Sequence, residues 1–191
     1  AALRVRIESV EDQTERERMA ASIDDITRSL DDILSLARIG RFTDPLETTD
    51  LSALVSAVVE EFEDMNEAVT LGDTVRIALP VRATWLRRAL RNLIANALRY
   101  GESATVTLRR ENGEAVVRVD DVGPGIPEHE LGRMMEPFIR GESSRNRTTG
   151  GAGLGLTIAK AITEQHGGRL ILTNRPNGGL RVEMRLPTRQ R

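Results

Sequence analysis

The stretch Val119-Asp120-Asp121-Val122-Gly123-Pro124-Gly125-Ile126-Pro127 constrains this chain more than any other. It closes an alternating run, Glu114 to Asp120, that has the period of a strand. Asp121 then stands two residues before Gly123, and Gly125 follows at i+2. Glycine admits φ > 0 and lets a ligand come close to the backbone. Pro124 and Pro127 stiffen the same turn. A carboxylate at a strand end beside bare backbone suits a ring with an exocyclic amine. The amine donates and Asp121 accepts, a charge-assisted bond of about 1.5–3 kcal/mol. Taken alone, the stretch fits an ordinary strand-to-helix turn with an Asp cap equally well. A second glycine cluster, Gly150-Gly151-Ala152-Gly153-Leu154-Gly155, opens onto a helix downstream and tilts the reading towards a ligand. Its N–H groups suit phosphates.

The helix predicted from Thr84 to Tyr100 supplies the third piece. Leu86, Leu90, Leu93, Ile94 and Ala97 share one face. Arg88, Asn92, Asn96 and Arg99 share the other, without an acid among them. Carboxamide oxygens suit a hard cation such as Mg²⁺, and guanidinium groups suit phosphate. A solvated face remains the alternative. Competing nucleotide motifs fail: there is no G-x-x-x-x-G-K-[ST], and G-x-G-x-x-G breaks at Glu128 and at Leu156.

Around these pieces the pattern predicts an N-cap at Asp50 and a helix from Leu51 to about Met65. Short strands follow at Val69–Leu71 and Val75–Leu79, separated by Gly72-Asp73. Asn112-Gly113 joins Ala104–Arg110 to Ala115–Asp120 as a hairpin. A helix runs from Pro127, at its N1 position, to about Met135. The polar, basic stretch 139–152 reads as a lid. A helix from Leu154 to His166 ends at Gly167-Gly168. A last hairpin pairs Arg169–Asn174 with Leu180–Leu186. The fold class is α+β: a two-layer sandwich of helices on a mixed, largely antiparallel sheet.

Residues 1–41 are different. Met19, Ile23, Ile26, Leu30, Ile33 and Ala37 form a heptad seam, with Asp24, Asp25, Arg28, Asp31 and Asp32 on the outer face. Leu3, Ile7 and Val10 make a shorter stripe, and a break near Glu11–Thr14 predicts a partial helical hairpin that self-associates. A single solvated helix packed on the main domain is the alternative. Residues 42–49 read as a linker, and 50–191 as the main domain. The chain starts mid-pattern without Met and is expected to be an excised piece. Net charge is −2, which argues against a nucleic-acid binder, and there is no Cys for a disulfide. No apolar run reaches the roughly 18 residues of a membrane span.

The boxes resemble those of the sensor histidine kinases of two-component signalling, with the Bergerat-type ATPase fold. Asn92-Leu93-Ile94-Ala95-Asn96-Ala97-Leu98-Arg99-Tyr100 matches the N box, and Asp121 to Pro127 the first glycine box. Glu136-Pro137-Phe138-Ile139-Arg140 matches the F box, and Gly151-Ala152-Gly153-Leu154-Gly155-Leu156 the second glycine box. The resemblance implies ATP or ADP with Mg²⁺ as ligands. It implies that Asn96 ligates Mg²⁺ with Asn92 close by, and that Arg99 approaches phosphate. It places adenine against Tyr100, Asp121 and Ile126, beside Gly123 and Gly125. It places phosphates against Gly151 and Gly153 to Leu156, and counts Arg140 among the binding residues. It further implies transfer of the γ-phosphoryl group to a histidine on a dimerisation bundle, a homodimer, and a response-regulator receiver domain as partner. This portion is then the cytoplasmic part of an inner-membrane sensor.

Two departures shape the expectation. Ala1-Ala2-Leu3-Arg4 resembles the residues directly after the phosphoacceptor box, whose histidine is missing, so self-phosphorylation is not expected. His129-Glu130-Leu131 copies that box only in part, and His166 reads as a helix C-terminal residue favoured by the dipole. The alternatives are a hydrolase of the same fold and a non-enzymatic nucleotide-sensing dimerisation module. The hydrolases of this fold place a carboxylate where this chain has Asn92, and a carboxamide cannot take a proton from water at neutral pH.

Overall fold

The computed structural model describes residues 12–40, 44–139 and 153–188. Helix α1 (Gln13–Arg38) starts where Asp12 accepts hydrogen bonds from the N–H groups of Thr14 and Glu15, at 2.8 and 3.0 Å. Strand β1 (Glu47–Asp50) runs into α2 (Leu51–Glu63), capped by Asp50 as expected. Then come β2 (Val69–Thr74), β3 (Ala78–Val81) and α3 (Ala83–Gly101). The hairpin β4 (Ala104–Glu111) and β5 (Glu114–Asp121) turns at Asn112 and Gly113, both at positive φ, as the Asn-Gly signal predicts. A short α4 (Glu128–Leu131), α5 (Gly155–Gln165), β6 (Arg169–Asn174) and β7 (Leu180–Pro187) complete the order.

Five strands form one sheet in the order β2-β4-β5-β7-β6, and β1 and β3 pair separately. Only β2 and β4 run parallel; the other neighbours are antiparallel. The chain is therefore α+β with a mixed, largely antiparallel sheet. Period 2 sorts each strand. Ala115, Val117 and Val119 of β5 and Val182, Met184 and Leu186 of β7 face the helices and are buried. Leu90, Leu93 and Ile94 of α3 and Ile158 and Ile162 of α5 close over them. Each such buried aliphatic chain stabilises the fold by roughly 1.5–3 kcal/mol.

The other face of the sheet is laced with ion pairs. Arg118 and Arg185 both hold Glu183, at 2.6 and 2.7 Å, and Arg185 also reaches Glu111 at 3.1 Å. Burial alone would raise the Glu183 pKa; the hydrogen bonds from Arg185 and Arg118 outweigh it and hold the carboxyl below its ordinary value. Asp120, the outward neighbour of Asp121, is held by Arg181 through two bonds of 2.7 Å.

Several boundaries differ from the sequence expectation. Residues 47–50 are a strand, not linker, because Glu47–Asp50 finds an antiparallel partner in β3. The same partner sets β3 at 78–81 and leaves Ile77, 1% exposed, as a core residue outside the strand. Gly72-Asp73 does not separate two strands. Strand β2 continues through it with a register shift, and a Cβ at Gly72 would lie 2.8 Å from Cγ2 of Thr107. Helix α4 stops at Leu131, and Pro127 is its N-cap rather than its first residue.

The arm docks by the face expected to be solvated. Arg88 of α3 donates to the Asp31 carbonyl at 2.9 Å and pairs with Asp32 at 3.2 Å, while Ser35 is buried. Burial raises the Asp32 pKa, more than the hydrogen bond from Arg88 lowers it. Met19, Ile26, Leu30 and Ile33 of the seam are exposed. The first arm of the hairpin, with Leu3, Ile7 and Val10, lies outside the described residues, as do the side chains of Asp24 and Asp25.

His166 departs from the expected dipole role. Its Nδ1–H donates to the Ile162 carbonyl at 2.7 Å, and its Nε2 accepts from the Arg82 N–H at 3.0 Å. The bond from the Arg82 N–H needs a bare Nε2 and so the neutral ring. Burial pushes its pKa below the ordinary 6.5, against the carbonyl bond. Below 6.5 the unfolded chain then takes up the proton more readily than the folded one. The stability from His166 is full above 6.5 and is lost as pH falls through the lowered folded value. Melting temperature should thus fall more steeply as pH drops below about 6.5 in the wild type than in His166→Gln. Parallel curves for the two proteins would rule out this linkage.

Candidate functional site

Period 2 carries Asp121 to the helix side of β5, directly after Ala115, Val117 and Val119. It is 4% exposed and walled by two glycines. A Cβ on Gly101, the last residue of α3, would lie 2.4 Å from the Asp121 Cβ, and one on Gly179 would lie 2.1 Å from its carbonyl oxygen. Oδ1 accepts from the N–H groups of Gly123 and Leu180, both at 2.9 Å. These bonds offset the cost of burying a carboxylate. Oδ2 makes none of the described hydrogen bonds and remains free for a donor.

The glycines of the turn have a reason the sequence did not disclose. Side chains at Gly123 and Gly125 would strike protein. A Cβ on Gly123 would lie 2.5 Å from the Tyr100 carbonyl oxygen, and one on Gly125 (φ +75°) would lie 2.7 Å from Oδ1 of Asn174. Asn174 grips the next residue at both ends of its peptide group: Oδ1 accepts from the Ile126 N–H at 2.9 Å, and Nδ2 donates to the Ile126 carbonyl at 2.7 Å. Arg175 donates to the Asp121 carbonyl. Sequence reasoning missed Gly101, Asn174, Arg175 and Gly179. Asn174 lies 48 residues from its partner, so no local spacing signals the bond. A Gly-Gly pair after Asn174 was the one available hint, and it reads simply as a hairpin turn.

Helix α3 brings its polar face to the head of α5. The Cβ of Asn92 would lie 3.8 Å from a Cβ on Gly155. Nδ2 of Asn92 is buried without a partner. Asn96 and Arg99 are part-exposed on the same helix and make none of the described hydrogen bonds. Arg88, expected on this face, is instead committed to α1. Tyr100 and Ile126 are part-buried at the two sides of the turn, Ile126 packing on the core. Leu154 and Leu156 are core residues, 1% and 6% exposed, so only their backbone groups can meet a ligand. Gly153 takes φ +70° just before α5. Thr157 Oγ1 donates to the Met135 carbonyl at 3.2 Å and ties α5 to the segment after α4. Arg140, Gly151 and most of the stretch 139–152 lie outside the described residues. Among the described residues no group of three His, Cys, Asp or Glu could hold a metal ion. Carboxamide oxygens and ligand phosphates are the donors left, a set that Mg²⁺ accepts.

Residues 81–190 match the profile of the histidine kinase-, DNA gyrase B-, and HSP90-like ATPases. The chain belongs to this family. Its relatives fall among the sensor histidine kinases, and ATP binding comes with membership. Over 185 residues it is 35% identical to the sensor histidine kinase GtrS of Pseudomonas aeruginosa, a match covering 97% of this chain and 38% of that protein. It is 35% identical to the sensor histidine kinase YkoH of Bacillus subtilis over 73% of this chain and 31% of that one. The chain thus spans about a third of the length of these curated relatives. Among solved structures, the ATP-binding domain of PrrB from Mycobacterium tuberculosis superposes with a TM-score of 0.63 at 25% identity, covering 77% of this chain and all of that one. The histidine kinase domain of the Escherichia coli osmosensor EnvZ gives 0.60 at 30% identity, covering 78% and 93%.

Two substitutions separate binding from folding at Asp121. Asp121→Asn keeps an oxygen for the Gly123 and Leu180 N–H groups but turns its amide N–H₂ towards the incoming amine. It should fold normally and lose about ten- to a hundredfold in ATP affinity by titration calorimetry. Gly101→Ala should lower the melting temperature as well, because its Cβ displaces Asp121 itself. Wild-type affinity in Asp121→Asn would remove the carboxylate from the site.

Proposed function

We propose that this chain is the catalytic portion of a sensor histidine kinase, moving the γ-phosphoryl group of ATP to a histidine on a dimerisation bundle for relay to a response-regulator receiver domain. The observation that carries the reading is Asp121: a buried carboxylate with one oxygen bonded to the turn and the other uncommitted. The adenine amine donates to that free oxygen, with Ile126 and Tyr100 flanking the ring. The N–H groups from Gly153 to Leu156 and the Arg99 guanidinium face the phosphates. Asn96 holds Mg²⁺ through its carboxamide oxygen, with Asn92 beside it; the ion, when bound, neutralises phosphate charge. In such a site catalysis is mainly positioning and charge stabilisation.

Transfer is favoured over hydrolysis because position 92 carries a carboxamide, which cannot serve as a base for water. The acceptor is a histidine of a separate bundle. His166 has both ring nitrogens engaged, and His129 is an exposed residue of a four-residue helix. The exposed seam of α1 pairs with a second copy. Among the described residues no helix is long and apolar enough to cross a membrane; we place this portion on the cytoplasmic side of a membrane-anchored sensor.

Radiolabelled ATP tests the reading. The chain alone should acquire no acid-labile label, and a supplied acceptor bundle should be labelled slowly, since the effective concentration of a tethered acceptor is missing. Steady ADP release without acceptor would favour the hydrolase instead. Asn96→Ala should weaken nucleotide binding in Mg²⁺ more than in chelator, and more than Asn92→Ala does. An equal loss in both buffers would contradict the metal role.

A further inference from the structure

The β6–β7 turn carries none of the sequence features that point to nucleotide, yet it holds most of the base end of the site. Asn174, the last residue of β6, spans the Ile126 peptide group with two hydrogen bonds, 2.9 Å at the N–H and 2.7 Å at the carbonyl. The Arg175 guanidinium donates to the Asp121 carbonyl. Gly179 packs against the same carbonyl with no room for a Cβ. Leu180 N–H fixes Oδ1 of Asp121 at 2.9 Å. The turn is itself closed by Arg175 N–H to the Gly179 carbonyl at 2.9 Å. One hairpin end therefore grips both the carboxylate and the backbone wall opposite it.

We infer that Asn174 is a positioning residue for purine selection, setting the distance between Ile126 and the free oxygen of Asp121. The inference rests on the ATP reading above. The grip is specific in its chemistry. A carboxamide is the side chain that accepts from an N–H and donates to a C=O of the same residue. The Ile126 N–H and C=O have no other described hydrogen bond; the nearest one in this segment is from the Glu130 N–H to the Pro127 carbonyl at 2.8 Å, so Asn174 alone fixes the backbone at Ile126 itself. Asn174 is itself exposed, so its two bonds add little to the core and their effect falls on the turn.

The selectivity follows from geometry. A ring with a 6-amino group donates to Asp121, whereas a 6-oxo ring presents an acceptor to a carboxylate and is rejected. Rejection needs the ring pressed to a fixed depth, and the Ile126 wall sets that depth. When the wall moves, the amine bond weakens and the 6-oxo ring gains room to shift away from the carboxylate. Phosphate contacts, on the far side at the head of α5, are untouched.

The test measures binding of ATP, ADP and inosine triphosphate to the wild type, Asn174→Ala and Asn174→Asp, with thermal melts alongside. The wild type should bind ATP well over the 6-oxo analogue. Asn174→Ala should lose roughly tenfold in ATP affinity, lose the same factor for ADP, and lose much less for inosine triphosphate, so that selectivity falls. Asn174→Asp keeps the acceptor and loses the donor, and should fall the same way; it serves if the alanine variant fails to fold. Unchanged selectivity in a folded variant would overturn the inference, whether affinity is kept or lost equally for every ligand. If the wild type binds neither adenine nor hypoxanthine nucleotide, the ATP reading falls and takes this one with it, an outcome visible before any variant is made.

Discussion

The structure turns on one buried carboxylate. Putting Asp121 on the core side of β5 costs several kcal/mol unless the charge is met by donors. Two backbone N–H groups meet it at Oδ1, one from Gly123 in the turn after β5 and one from Leu180 at the start of β7. That requirement propagates. Gly101 and Gly179 are side-chain-free so that the strand end fits between the end of α3 and the β6–β7 turn. Gly123 is bare because the Tyr100 carbonyl, near the end of α3, lies against it. A single buried carboxylate has thereby set the composition of three separate turns.

The helices then place the carboxamides. Helix α3 buries Leu90, Leu93, Ile94 and Ala97 against the sheet, which leaves Asn92 and Asn96 on the polar side. Helix α5 is anchored by Leu154, Leu156 and Ile158 in the same core, and its first turn comes to rest beside Asn92. The contact is made by a glycine, so the carboxamide is not pushed out of place. An unpartnered Nδ2 on Asn92 is costly at rest, of order 1–3 kcal/mol, and such a cost is typical of a group whose partner is a ligand.

The arm docks through a mixed face. Arg88 reaches across to the Asp31 carbonyl and to Asp32, while Leu36 and Ile39 pack against the core. The seam of Met19, Ile26, Leu30 and Ile33 is left outward, available for another helix. Periodicity marked this face as apolar. It could not say that the domain leaves it uncovered, because a helix pattern records that a face is apolar and not what covers it.

Sequence alone determined the elements whose signals are local. The Asn-Gly hairpin, the Asp50 cap, the apolar face of α3 and the strand that ends at Asp121 all follow from period and from single residues. The α+β class followed from their order. Tertiary structure decided the rest. Residues 47–50 became a strand, and β3 shifted to 78–81, because each is the other's partner across the chain. His166 became a part-buried residue with both ring nitrogens bonded because the Arg82 N–H arrives from 84 positions away. Asn174 became part of the site through a bond spanning 48. Periods of 2 and 3.6 are written into neighbouring residues, so they can be read from the chain. A hydrogen bond between distant segments depends on which layers meet, and that is settled only when the sheet and its helices have packed.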